Sequence, residues 1–259
     1  MSAPTAEITS VPSSARSAKV LPWVVADIGG TNARFGWVQD ERLNVSHVRK
    51  LPVNEFAGPT RAAQAYLAEI STLMGPAYES PHKAAFAVAT AVTSDEIHFT
   101  NSEWHFSRMA VQRDLQLDAL LVLNDFEALA LSLPLLTAAQ VRAHGAAPEA
   151  RGTLAVIGPG TGLGVAGVVQ TRDGWIALPG EGGHSTLAAS DDFEAELLRH
   201  LRQLFVHVSA ERVLSGIGLP LLHDAVAALL GRTPETLDAK AIVERALARS
   251  DDICERTID

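Results

Sequence analysis

The chain has 259 residues, of which 47% are hydrophobic and 20% are charged, so it has room for about two domains with buried cores. Its net charge of −9 argues against nucleic acid and anionic membranes as partners, because both require a basic face. Cys254 is the single cysteine, which excludes an intrachain disulfide and a cysteine-based metal cluster and favours a reducing, cytoplasmic location.

The N-terminal segment, residues 1–22, is rich in Ser, Ala and Pro. It lacks the apolar block of a signal peptide, so we predict a disordered tail. No apolar run in the sequence is long enough to cross a bilayer, and no membrane partner is therefore expected.

The first half of the chain predicts the element order β-β-β-α-β-α-β. Its first helix should begin at Pro59 and end before Gly75, because these residue types favour the two ends of a helix. The fully apolar run from Ala84 to Ala89 is typical of a buried parallel strand. The predicted strands lie at 23–26, 33–38, 44–49, 84–89 and 120–123, and the predicted helices at 59–74, 108–115 and 126–133.

The second half repeats the start with three predicted strands and then turns helical. One helix should carry Phe193, Leu197, Leu201 and Leu204 on a single face, and the next should end at Gly231. Thr233-Pro234-Glu235 predicts the beginning of another helix, with Thr as its cap. The three predicted strands lie at 153–157, 165–170 and 175–178.

The strands that would complete a second copy of the first-half plan do not occur before Asp259. We therefore expect an α/β fold with a small domain at 23–134 and an incomplete large domain at 135–259. In the large domain the sheet should have an open inner edge. One apolar helix face should also lie uncovered, formed by Leu219, Leu222, Val226 and Leu229.

Two glycine-rich turns each carry a threonine and join two apolar runs. They are Asp27-Ile28-Gly29-Gly30-Thr31-Asn32 and Gly158-Pro159-Gly160-Thr161-Gly162. Glycines let backbone N–H groups approach an anion closely, and threonine adds a hydroxyl donor. Either turn alone would be interpreted as an ordinary hairpin, but their repetition favours phosphate binding. The predicted phosphate-binding residues are Asp27, Gly29, Gly30, Thr31, Asn32, Gly160, Thr161 and Gly162.

Asp125 follows the predicted strand 120–123 and therefore lies at the carboxyl end of a strand, where open α/β sheets bind their ligands. Its simpler role would be that of N-cap for the helix 126–133, which Asp performs well. Asn124 beside it offers both a donor and an acceptor, or could be an ordinary turn residue.

Four motifs, in this order along the chain, resemble bacterial glucokinases of the proteobacterial type. They are DIGGTNAR at 27–34, LNDF at 123–126, LPGEGGH at 178–184 and SAERVLSG at 209–216. The related zinc-containing repressor/kinase family carries a cysteine-rich metal motif, which one cysteine cannot form. The resemblance extends from about Trp23 to the end of the chain. It implies the fold of the sugar kinase, actin and Hsp70 ATPase superfamily, with two ribonuclease H-like domains flanking a cleft and the second incomplete here.

The resemblance also implies a function, the ATP-dependent phosphorylation of glucose at its 6-hydroxyl. Asp125 would be the catalytic base, and Asp27 would hold the Mg²⁺ of ATP through water. Glucose and ATP are thus the expected partners, and a homodimer is left open. The residues implied to bind glucose are Asn124, Asp125, Glu181, His184 and Glu211.

Members of that family continue into a glycine-rich segment that receives the adenosine, and this sequence does not contain it. No adenine site is therefore transferred from the family. We expect these 259 residues alone to bind ATP weakly and to show little kinase activity.

Simpler interpretations of the same residues stay open. Glu181 and His184 could lie on a solvated surface turn, and Glu211 could be a first-turn acid of a helix capped by Ser209. The stretch with Asn101 and Trp104 could lie beside the cleft or simply pack. Two other functions also remain: a chaperone-like or filament-forming ATPase of the same fold, and a non-catalytic sugar-sensing module or front part of a longer regulator.

Overall fold

The structure is a computed structural model that describes residues 21–99, 102–145 and 152–259. The chain divides into two compact units, Met1–Asp125 and Phe126–Asp259. Apart from Leu21 and Pro22, the predicted tail lies outside the described residues, as does Asn101. No helix among the described residues combines the length and the apolar character that a membrane span requires.

The first unit is built on a five-stranded sheet. Its strand order is β3-β2-β1-β4-β7, in which β1 is antiparallel to β2 and parallel to β4, and β4 is parallel to β7. The predicted order of elements is confirmed, and a short hairpin, β5–β6, is an addition that the sequence pattern did not predict. The elements are β1 (Trp23–Ile28), β2 (Asn32–Val38), β3 (Val45–Pro52), α1 (Pro59–Met74), β4 (Lys83–Val88), β5 (Glu96–His98), β6 (His105–Ser107), α2 (Arg108–Asp114) and β7 (Ala119–Asn124).

Helix α1 packs its apolar face on this sheet. Tyr66 and Ile70 are at most 1% exposed, and the Tyr66 ring stacks on Phe35 with centroids 5.5 Å apart. Full burial of such large side chains contributes about 1.5–3 kcal/mol each. The helix ends where predicted, because Gly75 adopts a φ of 55° that other residues avoid. In the last turn Met74 still packs against this core, whereas Leu73 beside it is 57% exposed.

Trp104 resolves one of the open alternatives. It is buried in the core of the first unit, and its indole Nε1 donates a hydrogen bond of 2.9 Å to the carbonyl oxygen of Phe56. This contact supports the packing interpretation of Trp104.

The second unit combines a three-stranded antiparallel sheet with a group of helices. The strand order is β10-β9-β8, and α4, α5, α6 and α8 share one hydrophobic core. The three predicted strands are confirmed. The elements are α3 (Asp125–Ser132), β8 (Thr153–Pro159), β9 (Leu163–Thr171), β10 (Gly174–Leu178), α4 (Asp192–Leu201), α5 (Ala210–Leu214), α6 (Gly218–Leu229), α7 (Ala239–Leu247) and α8 (Asp252–Ile258).

The chain divides into its two compact units after Asp125, whereas the predicted small domain extends to residue 134. The reason is the packing of α3. Its Phe126 and Ala130 join a small apolar cluster with Ala166 and Val168 of β9, so the helix belongs to the second unit. Because α3 follows directly after a strand, the sequence did not indicate which of the two cores this helix would pack against.

Three predictions for the second unit are wrong. Leu204, expected on the apolar face of α4, lies beyond the end of that helix and is 60% exposed. The segment 232–238 is not helical, and α7 begins at Ala239 because the carboxylate of Asp238 accepts a hydrogen bond of 2.7 Å from the backbone of Ala241. The apolar face of α6 is also covered: Leu222 is 8% and Val226 1% exposed, within a core that includes Ile253 of the unpredicted helix α8. The sheet edge is as expected, since β8 pairs with β9 alone within the described part of the chain.

Candidate active site

The carboxyl ends of three parallel strands form one edge of the sheet in the first unit. Ile28 at the end of β1 is in register with Val88 of β4, which is in register with Asn124 of β7. Neighbouring strands are about 4.8 Å apart, so the glycine turn after β1 and the end of β7 are about 10 Å apart at this edge. The topology thus brings Asp27, the first glycine turn, Asn124 and Asp125 to the same edge of one sheet, where the parallel strands end.

The first glycine turn is fastened by backbone hydrogen bonds. The N–H of Gly29 donates to the carbonyl oxygen of Asn32 at 2.9 Å, and the carbonyl oxygen of Thr31 accepts from Val53 at 2.9 Å. Thr31 itself is exposed. The turn therefore has a fixed backbone and an exposed hydroxyl, the arrangement that a phosphate-binding turn requires.

Asp27 lies directly opposite Arg34 across β1 and β2. The Arg34 guanidinium donates to its carboxylate at 2.8 Å, and both side chains are more than half exposed. Sequence reasoning gave Arg34 no role, although its position in the hairpin places it on the same face as Asp27. The pair puts a carboxylate and a cation beside the first glycine turn.

Asn124 and Asp125 stand at the junction of β7 and α3. The Asn124 side-chain amide donates a hydrogen bond of 3.2 Å to the carbonyl oxygen of Thr90, in the segment that follows β4. Asp125 is half-buried and is the first residue of α3. A place at the end of a strand and the start of a helix is compatible with both roles considered for Asp125.

A cavity of about 450 Å³ lies within the second unit. Three residues of the predicted site line it: Thr161, His184 and Glu211. His207 and Arg212 line it as well, and sequence reasoning assigned no function to either. The SAERVLSG motif contained the only signal for Arg212, through its position next to Glu211.

The side chains of Glu181, His184 and Glu211 lie close together. His184 Nε2 is 3.4 Å from Glu211 Oε1 and 3.9 Å from Glu181 Oε2. Glu181 and His184 are 72% and 64% exposed, while Glu211 is 34% exposed. The two carboxylates near this imidazole nitrogen provide several hydrogen-bond acceptors, and the imidazole can donate or accept, a set that suits adjacent hydroxyl groups.

Glycines bring the loop of Glu181 and His184 against β9. A Cβ on Gly183 would collide with the carbonyl oxygen of Leu163, the first residue of β9. Only glycine therefore fits this close approach of two backbones. The loop is a surface turn, as the simpler interpretation had it, but one that is fixed beside the second glycine turn.

Glu211 occupies the first turn of α5, and Ser209 caps this helix as the simpler interpretation predicted. The Ser209 hydroxyl accepts a hydrogen bond of 3.2 Å from the backbone of Arg212. The Glu211 carboxylate nevertheless points away from the helix, because its Oε2 accepts a hydrogen bond of 2.9 Å from the backbone of Leu163. The two interpretations of Glu211 are thus compatible.

Comparisons with known proteins agree with this geometry. The family model for glucokinase matches residues 24–259. The chain belongs to the glucokinase family. It is 46% identical over 230 residues to a glucokinase of Aromatoleum aromaticum, a match that covers 88% of this chain and 68% of the relative. It is 41% identical over 238 residues to a glucokinase of Nitrobacter hamburgensis, covering 91% of this chain and 72% of that one.

A solved structure shows the same fold. The crystal structure of a glucokinase from an Antarctic psychrotroph superimposes with a TM-score of 0.79 at 36% sequence identity, and the match covers 92% of this chain and 74% of that one. The α/β fold with ribonuclease H-like units, predicted from the sequence, is confirmed by this likeness and by the strand order of the first unit.

The predicted glucokinase site thus falls into two groups, each within one unit. Asp27, the first glycine turn, Asn124 and Asp125 share the sheet edge of the first unit. The second glycine turn and the other three predicted glucose ligands share one region of the second unit. The roles of the individual residues are predictions that the next section develops.

Proposed function

We propose that this chain supplies the sugar-binding and phosphoryl-transfer residues of an enzyme that phosphorylates glucose at its 6-hydroxyl with ATP. The observation that carries the proposal is the grouping of Glu181, His184 and Glu211 around the second glycine turn, in a chain of the glucokinase family. A filament or chaperone ATPase gives no reason for these three side chains to converge.

Asp125 is the proposed general base. It takes the proton of the 6-hydroxyl as the oxygen attacks the terminal phosphorus of ATP, while the bond from that phosphorus to the bridging oxygen breaks and ADP leaves. Because the transition state of phosphoryl transfer is loose, the proton leaves late and the base needs only modest strength. Its place at the end of β7 and the start of α3 keeps the carboxylate half-buried and well positioned.

The sugar is held by side chains that read its hydroxyl groups. Asn124 is oriented by its hydrogen bond to Thr90 and presents its amide to one hydroxyl. The carboxylates of Glu181 and Glu211 accept hydrogen bonds from hydroxyl groups, and the imidazole of His184, whose Nε2 lies near both carboxylates, orients a further hydroxyl. Such hydrogen bonds hold the sugar ring so that one oxygen faces the phosphate. The energy of binding thereby lowers the activation barrier of the reaction.

The phosphates are proposed to bind at the two glycine turns through backbone N–H groups and the hydroxyls of Thr31 and Thr161. The exposed carboxylate of Asp27 beside the first turn fits a nucleotide-bound Mg²⁺, because this ion keeps several waters and needs only one or two protein carboxylates. When bound, the ion neutralises charge on the phosphate oxygens. Among the described residues no group of three or more His, Cys, Asp or Glu side chains is placed to hold a metal ion.

The test is a coupled assay that follows ADP formation from ATP with and without glucose. The proposal expects that whatever turnover is measured, however low, depends on glucose. ATP turnover that is independent of sugar would support the filament or chaperone class, and glucose binding without turnover would support a sensor. A cytoplasmic location is part of the proposal, and the open question of a homodimer can be answered by light scattering.

A further inference from the structure

The carboxylate of Glu211 contacts two different parts of the second unit at once. Its Oε2 accepts a hydrogen bond of 2.9 Å from the backbone N–H of Leu163, which directly follows the second glycine turn. Its Oε1 lies 3.4 Å from Nε2 of His184, in the proposed glucose-binding loop. One side chain therefore touches both the proposed phosphate turn and the proposed sugar site.

The backbone of the second glycine turn is held in place by contacts with α5 and with the residues that follow this helix. The carbonyl oxygen of Gly160 accepts a hydrogen bond of 2.8 Å from the backbone of Gly216, just beyond α5. A Cβ on Gly162 would collide with Glu211 Oε2, so the carboxylate packs directly on the turn. The turn is thus fastened on one side by Gly216 and on the other by Glu211.

Glu181 provides a contrast within the same cluster. Its carboxylate lies 3.9 Å from His184 and is 72% exposed, against 34% for Glu211. Both are proposed glucose ligands of the same chemical type. The difference between them is the hydrogen bond that the Glu211 carboxylate accepts from the backbone N–H of Leu163.

We propose that Glu211 is a positioning residue for the phosphate turn as well as a glucose ligand, so that one carboxylate serves both substrates. The inference rests on the proposed function, which assigns ATP phosphates to the turn and glucose to the loop. By accepting the Leu163 N–H, Glu211 holds residues 160–162 in the shape in which their donors face a phosphate. Its negative charge alone would repel phosphate, so the positioning effect and the charge effect have opposite signs.

Substitutions can separate the two roles. Glu211→Ala removes the acceptor, so KM for ATP should rise about tenfold along with KM for glucose. Glu211→Gln keeps an oxygen that can accept the Leu163 N–H, so KM for ATP should return to within about threefold of the parent while KM for glucose stays raised. Glu181→Ala and Glu181→Gln are the matched controls and should raise KM for glucose only.

Glu211→Asp is a conservative control for misfolding, and it separates the effect of the negative charge from the effect of the hydrogen bond. It keeps the carboxylate but is one methylene too short to reach Leu163, so it should behave like Glu211→Ala toward ATP. A KM for ATP that is unchanged or lower in both the Ala and the Asp variants would overturn the inference. So would a Gln variant that affects ATP as strongly as Ala does.

Amide hydrogen exchange at Leu163 provides a readout without either substrate. We expect this amide to exchange slowly in the parent and the Gln variant, and at least about tenfold faster in the Ala and Asp variants. Equal exchange in all four proteins would contradict the inference. If the parent turned over no ATP with glucose, the proposed function would fail, while Leu163 exchange would still decide whether Glu211 positions the turn.

Discussion

The two Gly-Thr hairpins of this chain have the same local pattern in different surroundings. In the first, β1 lies inside a sheet with β2 on one side and β4 on the other, and Val24 and Ile28 are 2% and 0% exposed. In the second, β8 pairs with β9 alone within the described part of the chain, and Ile157 is 66% exposed. The comparison teaches that local sequence determines the hairpin, whereas neighbouring strands determine how much of it is buried.

The turns of the two hairpins also differ in how they are held. The first is fastened through Thr31 to Val53, at the start of the connection from β3 to α1. The second is fastened by Gly216 and by Glu211, one of the proposed glucose ligands. In the second hairpin, the turn and the proposed sugar site therefore share one residue, Glu211. Substitutions in the two units should accordingly have different effects.

The largest expected effect comes from the first unit. Asp125→Asn keeps the shape of the side chain but removes the proton acceptor, so kcat should fall by about 10²–10⁴-fold while glucose affinity changes by less than about tenfold. Steady-state kinetics and calorimetric titration with glucose would measure the two quantities. Substantial residual turnover would remove Asp125 as the base and leave it as the first residue of α3.

A matched pair of substitutions tests the difference in burial. Ile28 and Ile157 each precede the first glycine of their hairpin. Ile28→Ala should lower the free energy of unfolding by about 2–5 kcal/mol, because it leaves a cavity in a packed core. Ile157→Ala should change it by less than about 0.5 kcal/mol, because that side chain is mostly exposed. Denaturant titrations of both variants would measure this, and equal losses would show that β8 is covered by something outside the described residues.

Sequence reasoning identified the strands of the five-stranded and three-stranded sheets and the ends of α1, because these features depend on local patterns. Apolar runs, Pro59 and Gly75 each act within a few residues of their own position. It did not identify the start of α7, because Thr233 and Asp238 are both good N-cap residues and the local pattern does not distinguish them. In the structure Asp238 is the N-cap. Glu235, expected inside a helix, instead forms an ion pair of 2.6 Å with Arg245.

In the candidate site, too, some features are indicated by the local sequence and others depend on contacts between residues far apart in the chain. Its residues could be listed from four short motifs, and strand order then explains why Asp27 and Asn124 share one edge. The contact of Glu211 with Leu163 joins residues far apart in sequence, and no local pattern indicates it. The place of α3 in the second unit depends likewise on packing against β9.

Sugar selectivity tests the proposed role of the second unit. If Glu181, His184 and Glu211 read hydroxyl groups, galactose or 2-deoxyglucose should bind about 1–3 kcal/mol more weakly than glucose for each buried group left unpaired. Side-by-side calorimetric titrations would measure the three affinities. Equal affinities would contradict a selective pocket, and a loss of selectivity in Glu181→Ala would assign part of it to that residue.

The smallest expected effect is on acid stability of the second unit. Arg245 holds the pKa of Glu235 below its ordinary value of 4.5, and backbone hydrogen bonds from Cys254 and Ile253 do the same for Asp251 relative to 3.8. Arg232 likewise lowers the pKa of Asp252. Because these pKa values are lower in the folded chain, the stabilisation is present above the ordinary values. It is lost as the pH falls below about 4.5 and through the folded-state values.

Unfolding curves between pH 7 and pH 3 would check this expectation. Arg245→Gln should flatten the decline of stability in acid, whereas Arg199→Gln, which breaks a pair of 2.7 Å within α4, should have less effect. The same decline in Arg245→Gln as in the parent would mean that this group of ion pairs does not stabilise the C-terminal helices.

The most direct test of the central claim is to identify the product by ³¹P NMR after incubation with ATP, Mg²⁺ and glucose, with 6-deoxyglucose in a parallel sample. The account predicts that glucose 6-phosphate forms together with ADP, and that 6-deoxyglucose is not phosphorylated because it lacks the hydroxyl that Asp125 would deprotonate. Inorganic phosphate as the only product, at a rate independent of sugar, would contradict the account, and so would phosphorylation of 6-deoxyglucose.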